Sequence, residues 1–558
     1  MCRGMVLCFV GLLIFSDAVF AQAQYGFRIY FADKAGTQHT LANPLTFLSQ
    51  RAIDRRAAQG IALNDADLPV SADYMDSVLT LTGGKLHLTS KWFNYTVLLL
   101  NDSADILSLQ GKPFIDSIKY IAYYAGGLHK PGRNTTGGEP PLSPLKKTSG
   151  SAAYYGFAFQ QTDMVRGDYL HDLGRKGQGK LIAVIDEGFE DVDTAPAFDS
   201  LYNSGRIIDQ YNYADHVTNV YMNGQHGTAS LSTIAGNLPG TYVGSAPYAD
   251  YALYITEIRG SEQVIEMDNI VAASERADSV GADIITLSLG YDRFSLPEPF
   301  SLTYAEIDGK TTIAAKGVNM ATEKGILFIV SAGNEGGGSW NYILTPGDAD
   351  SALTVGSVGV DKSPATNSGY GPNSAGRVKP DVCMQGQPAY IMRESATPFL
   401  SSGTSWATPQ LAGWAACLMQ SSDNTALLPY QVRTAIQKSA HVYNTPGKQL
   451  GYGVPHFHMA LELLSVKDLP QMPDANNWVK VSPNPFADNI TIRFYLERNS
   501  NLEWQLADVS GKIMRDDRLQ VIGGVQTISP DLSGLAPGMY FLKVNAGDKQ
   551  SVTKILKR

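Results

Sequence analysis

The chain has 558 residues, 44% hydrophobic and 17% charged, a composition suited to ordinary globular folding over about three domains. Its net charge of −9, with no strong basic block, argues against nucleic acid as a partner. Four cysteines in a chain of this length exclude a disulfide scaffold.

At the N-terminus, Arg3, the apolar run "MVLCFVGLLIF" and the small-residue end "VFAQAQ" predict a secretory signal over 1–23, cleaved after Ala23. The run is short for a bilayer, and no later run is long enough, so no transmembrane helix is expected; the alternative is an uncleaved anchor. Cys2 and Cys8 leave with the signal. Cys383 and Cys417 stand in apolar surroundings and read first as two separately buried thiols, with a disulfide between them left open.

Residues 24–125 read as a small α/β unit. Strands are expected at "FRIYF", "GKLHL", "NYTVLLL" and "IDSIKYIAYY", with helices at "PLTFLSQRAIDRRAAQG" and "SADILSLQ", which in outline is a split β-α-β, ferredoxin-like arrangement. Residues 126–150, rich in Gly, Pro, Lys and Thr, cannot bury much and form a linker. Over 151–464 short apolar strands ("LIAVID", "DIITLSLG", "GILFIVSAGN") alternate with helices ("VIEMDNIVAASERADSVG", "TIAAKGVNMATEKG"), which predicts an α/β domain with a doubly wound parallel sheet. A linker at 465–475 leads to alternating strands over 476–558, expected to form a small antiparallel β-sandwich.

Working residues in a doubly wound sheet gather beyond the carboxyl ends of its strands, and three polar residues fall there. Asp186 ends "LIAVID", His226 opens the small-residue helix "HGTASLSTIAG", and Ser405 opens the apolar helix of "FLSSGTSWATPQLAGWAACL". That helix is expected to begin near Thr404 or Ser405, with Pro409 in its first turn, where a missing N–H is tolerated. A serine hydroxyl is a poor nucleophile at neutral pH. It needs an imidazole to take its proton, and the imidazole needs a carboxylate to fix its tautomer. Alone, Ser405 would read as a helix cap. Asn334 in "VSAGNEGGGS" adds a side-chain amide able to donate to an oxyanion beside the Ser405 N–H, although "AGNEG" alone would read as a turn.

The four motifs "VIDEG", "HGT", "SAGNEG" and "SSGTSWATP", in that order, resemble the signatures of subtilisin-like serine peptidases. The resemblance covers 151–464 and implies that Ser405 is the nucleophile, His226 the general base and then acid, and Asp186 its orienting partner. It assigns the oxyanion hole to Asn334 with the Ser405 N–H. It also implies that Ser288, Leu289 and Gly290 pair with the substrate backbone as an added strand; alone, "LSLG" would read as a core strand end. No cofactor is required for the chemistry, and a structural calcium ion is left open.

Two departures from the family pattern stand out. Glu187 follows Asp186 and joins Glu190, Asp191 and Asp193 in an acidic cluster, whose readings are a solvated loop, a calcium site or a preference for basic side chains. Trp406 stands where the family usually has methionine, so the adjoining pocket must be packed differently.

The unit at 24–125, through "FLSQRAIDRRAAQGI" and "SKWFNYTVLL", is similar to inhibitory propeptides of Bacteroidetes-type members, implying a zymogen whose own propeptide is a partner. The stretches "VSPNPFADNITIRF", "LADVSGKIM", "LSGLAPGMYFLKV" and "VTKILKR" resemble a type IX secretion sorting domain; no aromatic platform favours a carbohydrate-binding sandwich. The expected protein is a secreted or cell-surface serine endopeptidase acting on proteins or peptides, with the type IX secretion machinery as a partner. An α/β-hydrolase esterase would need a G-x-S-x-G elbow and the order Ser, acid, His, and has neither here. A catalytically silent subtilisin-fold binding protein is the remaining alternative.

Overall fold

The structure, a computed structural model, describes residues 24–124, 151–295, 301–420, 427–465, 478–496, 500–521, 524–547 and 549–558. The expected signal at 1–23 and linker at 126–150 lie outside the described residues. So does the expected linker at 465–475, apart from Ser465, which ends a helix.

The central domain carries a seven-stranded, wholly parallel sheet. In spatial order its strands are Val382–Gln385, Leu353–Val358, Leu327–Ser331, Ile284–Leu287, Leu181–Asp186, Asp250–Ile255 and Ile207–Asn212. Five of these strands are buried along their whole length, as expected of a parallel sheet covered on both faces. Helices Glu266–Val280 and Ile313–Glu323 pack on one face, and His226–Ala235 and Thr404–Met419 on the other. All sixteen residues of Thr404–Met419 are buried, which explains its nearly continuous apolar composition. Pro409 falls in its second turn, not the first as expected, so a helical hydrogen bond to the Ser405 carbonyl is lost. Cys383 and Cys417 are buried thiols that are not joined in a disulfide; burial pushes Cys383 up to about 12 and Cys417 higher still.

The N-terminal unit is a four-stranded antiparallel sheet in the order Lys85–Ser90, Tyr95–Leu100, Gln24–Phe31, Ile115–Tyr124, the split β-α-β topology. Its helices differ from expectation. The helix packed against this sheet is Ala72–Thr82, which sequence reading missed, and "SADILSLQ" forms a 3-10 helix over Ser103–Leu109. The expected helix, Gln50–Gln59, docks instead on the central domain, because the side it buries holds Ala52, Arg55 and Arg56 and has few large apolar groups to offer a sheet. Leu88, Trp92, Tyr95, Val97 and Ile121 share one hydrophobic cluster with Glu266–Val280 and Ile313–Glu323. Polar contacts complete this junction. Arg28 makes a two-pronged pair with Asp268 at 2.8 and 2.7 Å, and Glu275 accepts from Ser90 Oγ and from the N–H groups of Lys91 and Trp92.

The C-terminal unit is the expected sandwich. A three-stranded antiparallel sheet (Val479–Ser482, Thr491–Leu496, Gly524–Ile528) and a four-stranded one (Ile513–Val521, Ser500–Asp508, Gly538–Ala546, Lys549–Lys557) enclose one apolar core. Among the described residues no helix is long and apolar enough to cross a membrane.

Candidate active site

The C-terminal ends of the parallel strands bring the sequence-derived residues together. Asp186, fully buried, is the last residue of its strand; its Oδ1 accepts from the Glu187 N–H at 2.8 Å and lies 2.5 Å from His226 Nδ1. That bond places the imidazole proton on Nδ1 and leaves Nε2 as the basic nitrogen. The approach of the two elements depends on Gly227: a Cβ there would lie 2.5 Å from the Gly188 carbonyl oxygen and 3.0 Å from Asp186 Cβ.

Ser405 is the second residue of its helix, so its N–H belongs to the first turn, whose N–H groups have no partner within the helix. Its Oγ is 3.3 Å from the Ser288 carbonyl, and Ser288 Oγ donates to the Ser405 carbonyl at 3.2 Å. Asn334 stands just beyond Leu327–Ser331. Its Oδ1 accepts from the Thr404 N–H at 2.9 Å and from Thr404 Oγ1 at 3.1 Å, so its Nδ2 donor is turned away from Thr404. Ser288, Leu289 and Gly290 follow the strand Ile284–Leu287; Ser288 and Leu289 are buried, and the Leu289 carbonyl accepts from Ser331 Oγ at 3.3 Å.

Sequence reading flagged Trp406 without giving it a place. Its ring centroid lies 5.1 Å from that of His226 at a tilt of 39°, its Nε1 donates to Ser401 Oγ at 3.0 Å, and it packs with Ala229, Ala389 and Ile391. The indole is thus a wall of the imidazole's pocket. The exchange between Ser288 and Ser405 was also missed; the only signal for it was Pro409, four residues after a serine.

The acidic loop after Asp186 is stitched to the start of helix His226–Ala235. Gln225 Nε2 donates to Asp191 Oδ2 at 2.5 Å, Thr228 Oγ1 to the Glu190 carbonyl at 2.6 Å, and the Glu190 N–H to the Gly224 carbonyl at 3.1 Å. Among the described residues, the close group of carboxylates lies elsewhere: Glu257, Glu262 and Glu266 have oxygens within 4.8 Å of one another. Chain donors already face that group. The N–H groups of Ile258 and Gln263 donate to Glu266, and the Tyr291 hydroxyl donates to Glu257.

Comparisons with known proteins agree with this layout. Residues 177–453 match the subtilase family, 26–135 the S8 peptidase propeptide domain of Bacteroidota, and 480–558 a secretion system C-terminal sorting domain. A thermophilic serine proteinase of Bacillus sp. strain AK1 is 29% identical over 290 residues, 51% of this chain and 62% of that protein, so the chain spans less than two thirds of that relative. Subtilisin Savinase of Lederbergia lenta is 28% identical over 277 residues, covering 50% of this chain and 88% of that protein. Subtilisin E of Bacillus subtilis strain 168 is 26% identical over 340 residues, covering 60% and 80%. The solved structure of MycP1 from the ESX-1 type VII secretion system covers 57% of this chain and 88% of that chain at 21% identity, with a TM-score of 0.43. The sorting domain marks a secreted or cell-surface protein. With its motifs, parallel sheet and flanking domains in one order, the chain carries a subtilase-family domain over residues 177–453, with a Bacteroidota-type S8 propeptide domain before it and a secretion system C-terminal sorting domain after it.

Proposed function

We propose that the protein is a secreted serine endopeptidase, made as a zymogen, which hydrolyses peptide bonds of protein substrates through Asp186, His226 and Ser405. The observation that carries this reading is the 2.5 Å contact between Asp186 and His226 at the strand ends, beside a helix that presents Ser405 in its first turn. Ser405 Oγ attacks the scissile carbonyl while His226 Nε2 takes its proton, and Asp186 stabilises the imidazolium so formed. The tetrahedral oxyanion accepts from Asn334 Nδ2 and the Ser405 N–H. His226 then protonates the leaving amine, and water, activated by the same imidazole, hydrolyses the acyl-enzyme. Ser288, Leu289 and Gly290 hold the substrate backbone in extended form. Protein groups fill every role, so the reaction requires no cofactor; a calcium ion, if bound, would serve the fold.

The N-terminal unit is the enzyme's own inhibitor and folding partner, and the C-terminal unit is its address for the type IX secretion machinery. The test is labelling of the secreted protein with a fluorophosphonate, beside a Ser405→Ala variant, with mass spectrometry of the termini. Modification of Ser405, and loss of the N-terminal unit in the wild type alone, is the expected result. A folded wild type that resists the reagent, with a variant trimmed equally well, would overturn the reading in favour of a silent binding protein.

A further inference from the structure

We propose that the histidine pair His87–His216 is an acid-sensitive latch holding the N-terminal unit on the peptidase domain, so that acidification releases the unit; this rests on the zymogen reading above. His87 lies in the strand Lys85–Ser90 of the N-terminal unit. His216 lies beyond the strand Ile207–Asn212, on the connection that leads to His226. The two rings meet edge to face, with centroids 4.7 Å apart, and His216 Nε2 is 3.0 Å from His87 Nδ1. This contact is a hydrogen bond between the two units.

The neighbouring hydrogen bonds fix where the protons sit. Asn269, fully buried, donates through Nδ2 to the Thr256 carbonyl at 2.8 Å, so its Oδ1 is an acceptor. His87 Nε2, 2.8 Å from that oxygen, must carry a proton. In the neutral ring His87 Nδ1 is then an acceptor, and His216 Nε2–H is its donor. Protonation of His87 puts a second N–H on Nδ1, facing the N–H of His216. The bond across the junction is kept only if His216 moves its own proton to Nδ1, and it becomes a donor–donor contact once His216 is protonated too; in either case a charge enters a site where His87 is 9% exposed.

The carboxylates near the pair are already engaged, and Asp268 beside His87 and Asp215 beside His216 favour the charged rings less than burial disfavours them. Asp268 is engaged by both prongs of Arg28, and Glu275 by Ser90, Lys91 and Trp92. Asp215 is engaged by the side-chain amides of Asn212 and Asn223, while Arg276 is committed to Asp209. Lys85 and Lys91, from the N-terminal unit, add positive charge, and Tyr211 and Tyr213 face the site from the central sheet. A cavity of about 420 Å³, lined by His87, Lys91, Tyr213, His216, Glu275 and Arg276, opens beside the pair and gives protons access.

Burial, with a smaller push from His216 and Lys85, brings His87 down to about 4 from 6.5 and lowers His216 in the same direction. Both rings therefore bind protons more weakly when docked than when released. The contribution of these rings to docking is whole above pH 6.5 and is lost as the pH falls toward 4. From His87 alone the equilibrium shifts roughly 30-fold toward release between about pH 7.5 and pH 5.

The test uses the full chain carrying Ser405→Ala, so that no self-cleavage intervenes, and reads hydrogen exchange of the Lys85–Ser90 and Tyr95–Leu100 amides, corrected for intrinsic rates. Opening is expected to rise roughly 30-fold between about pH 7.5 and pH 5, by less than about 3-fold when His87→Gln is added, and by an intermediate factor when His216→Gln is added, because that variant leaves His87 buried. Gln at 87 does not titrate. Gln at 216 offers an oxygen to the new Nδ1–H of His87, so a pH response smaller than the parent's in His216→Gln decides the matter if His87→Gln does not fold. An equal pH response in all three chains, or none in the parent, overturns the proposal. Exchange reads docking without turnover, and fluorophosphonate labelling of the wild type reads the nucleophile, so either reading can fail while the other stands.

Discussion

Ser288 and Ser405 exchange hydrogen bonds, each hydroxyl lying against the other's carbonyl at 3.2 and 3.3 Å. The Ser405 carbonyl needs this donor because Pro409 removes the N–H that would have served it. Ser288→Ala leaves a buried carbonyl short of a partner, a penalty of about 1–3 kcal/mol. Where that penalty falls on the transition state, kcat drops roughly 5- to 100-fold with KM nearly unchanged. Pro409→Ala restores the N–H, so the double variant should recover most of the loss, and a double-mutant cycle on kcat measures the coupling. Additive losses would show that the two positions do not share that carbonyl.

On the proposed reading of His226 as the base, Trp406, whose ring lies 5.1 Å from the imidazole, acts through it as a positioning residue. Trp406→Phe keeps an aromatic wall and loses only the bond to Ser401, so kcat should stay within about 3-fold of wild type. Trp406→Ala empties the wall beside the imidazole. The protein should lose about 3–5 kcal/mol of stability, and kcat should fall about 10-fold or more because the base is no longer held in line. The pH profile separates the two effects: if only packing were at stake, the acidic limb of kcat/KM would not move.

Much of this was legible in the sequence because burial on both faces of a parallel sheet writes itself as continuous apolar runs. "LIAVID" coincides with its strand to the residue, and "IDSIKYIAYY" does so in the N-terminal unit. At the candidate site, composition marked the strand end at Asp186 and the helix starts at His226 and Thr404, where the structure has them. What stayed hidden depends on partners distant in the chain. Gln50–Gln59 buries Arg55 and Arg56, and the anion they share is Asp278, more than 200 residues away. Ala72–Thr82 was passed over although Ser71 caps its start and Gly83 ends it with a φ of 62°, a signal that was available. Neither Trp406 beside His226 nor His87 against His216 follows from local pattern.

Asn334 is oriented by Thr404, and the two positions should respond unequally. Asn334→Leu removes the proposed oxyanion donor and should lower kcat by about 10²–10³, a magnitude borrowed from the corresponding asparagine of subtilisin, with KM little changed. Thr404→Val removes one of the two bonds on Oδ1 and leaves the N–H bond in place, so a loss of only about 2- to 10-fold is expected. Steady-state kinetics on a peptide amide measure both. A large KM effect for Asn334→Leu would mean that the amide binds ground-state substrate instead.

At the junction of the two units, Asp278 is fully buried and accepts from Arg55 at 2.7 Å and from Arg56. Arg56 also pairs with Asp67, which Lys324 of the central domain joins at 2.9 Å, so the charges form a network across the junction. Asp278→Asn keeps the shape and removes the charge, leaving Arg55 without its anion and Arg56 with Asp67 alone. Breaking a buried pair in this way costs about 3–5 kcal/mol, enough to weaken docking by roughly 10²–10³-fold or more. Both guanidiniums belong to the N-terminal unit, and Asp278 lies on the helix Glu266–Val280, away from the catalytic strand ends. In the full-length Ser405→Ala chain the variant should therefore lose exchange protection in Tyr95–Leu100. The matured enzyme carrying Asp278→Asn alone should keep kcat/KM within about 2-fold, although less of it is recovered if the unit guides folding. Loss of kcat/KM in the matured form would place Asp278 in the working machinery of the enzyme and not in its restraint.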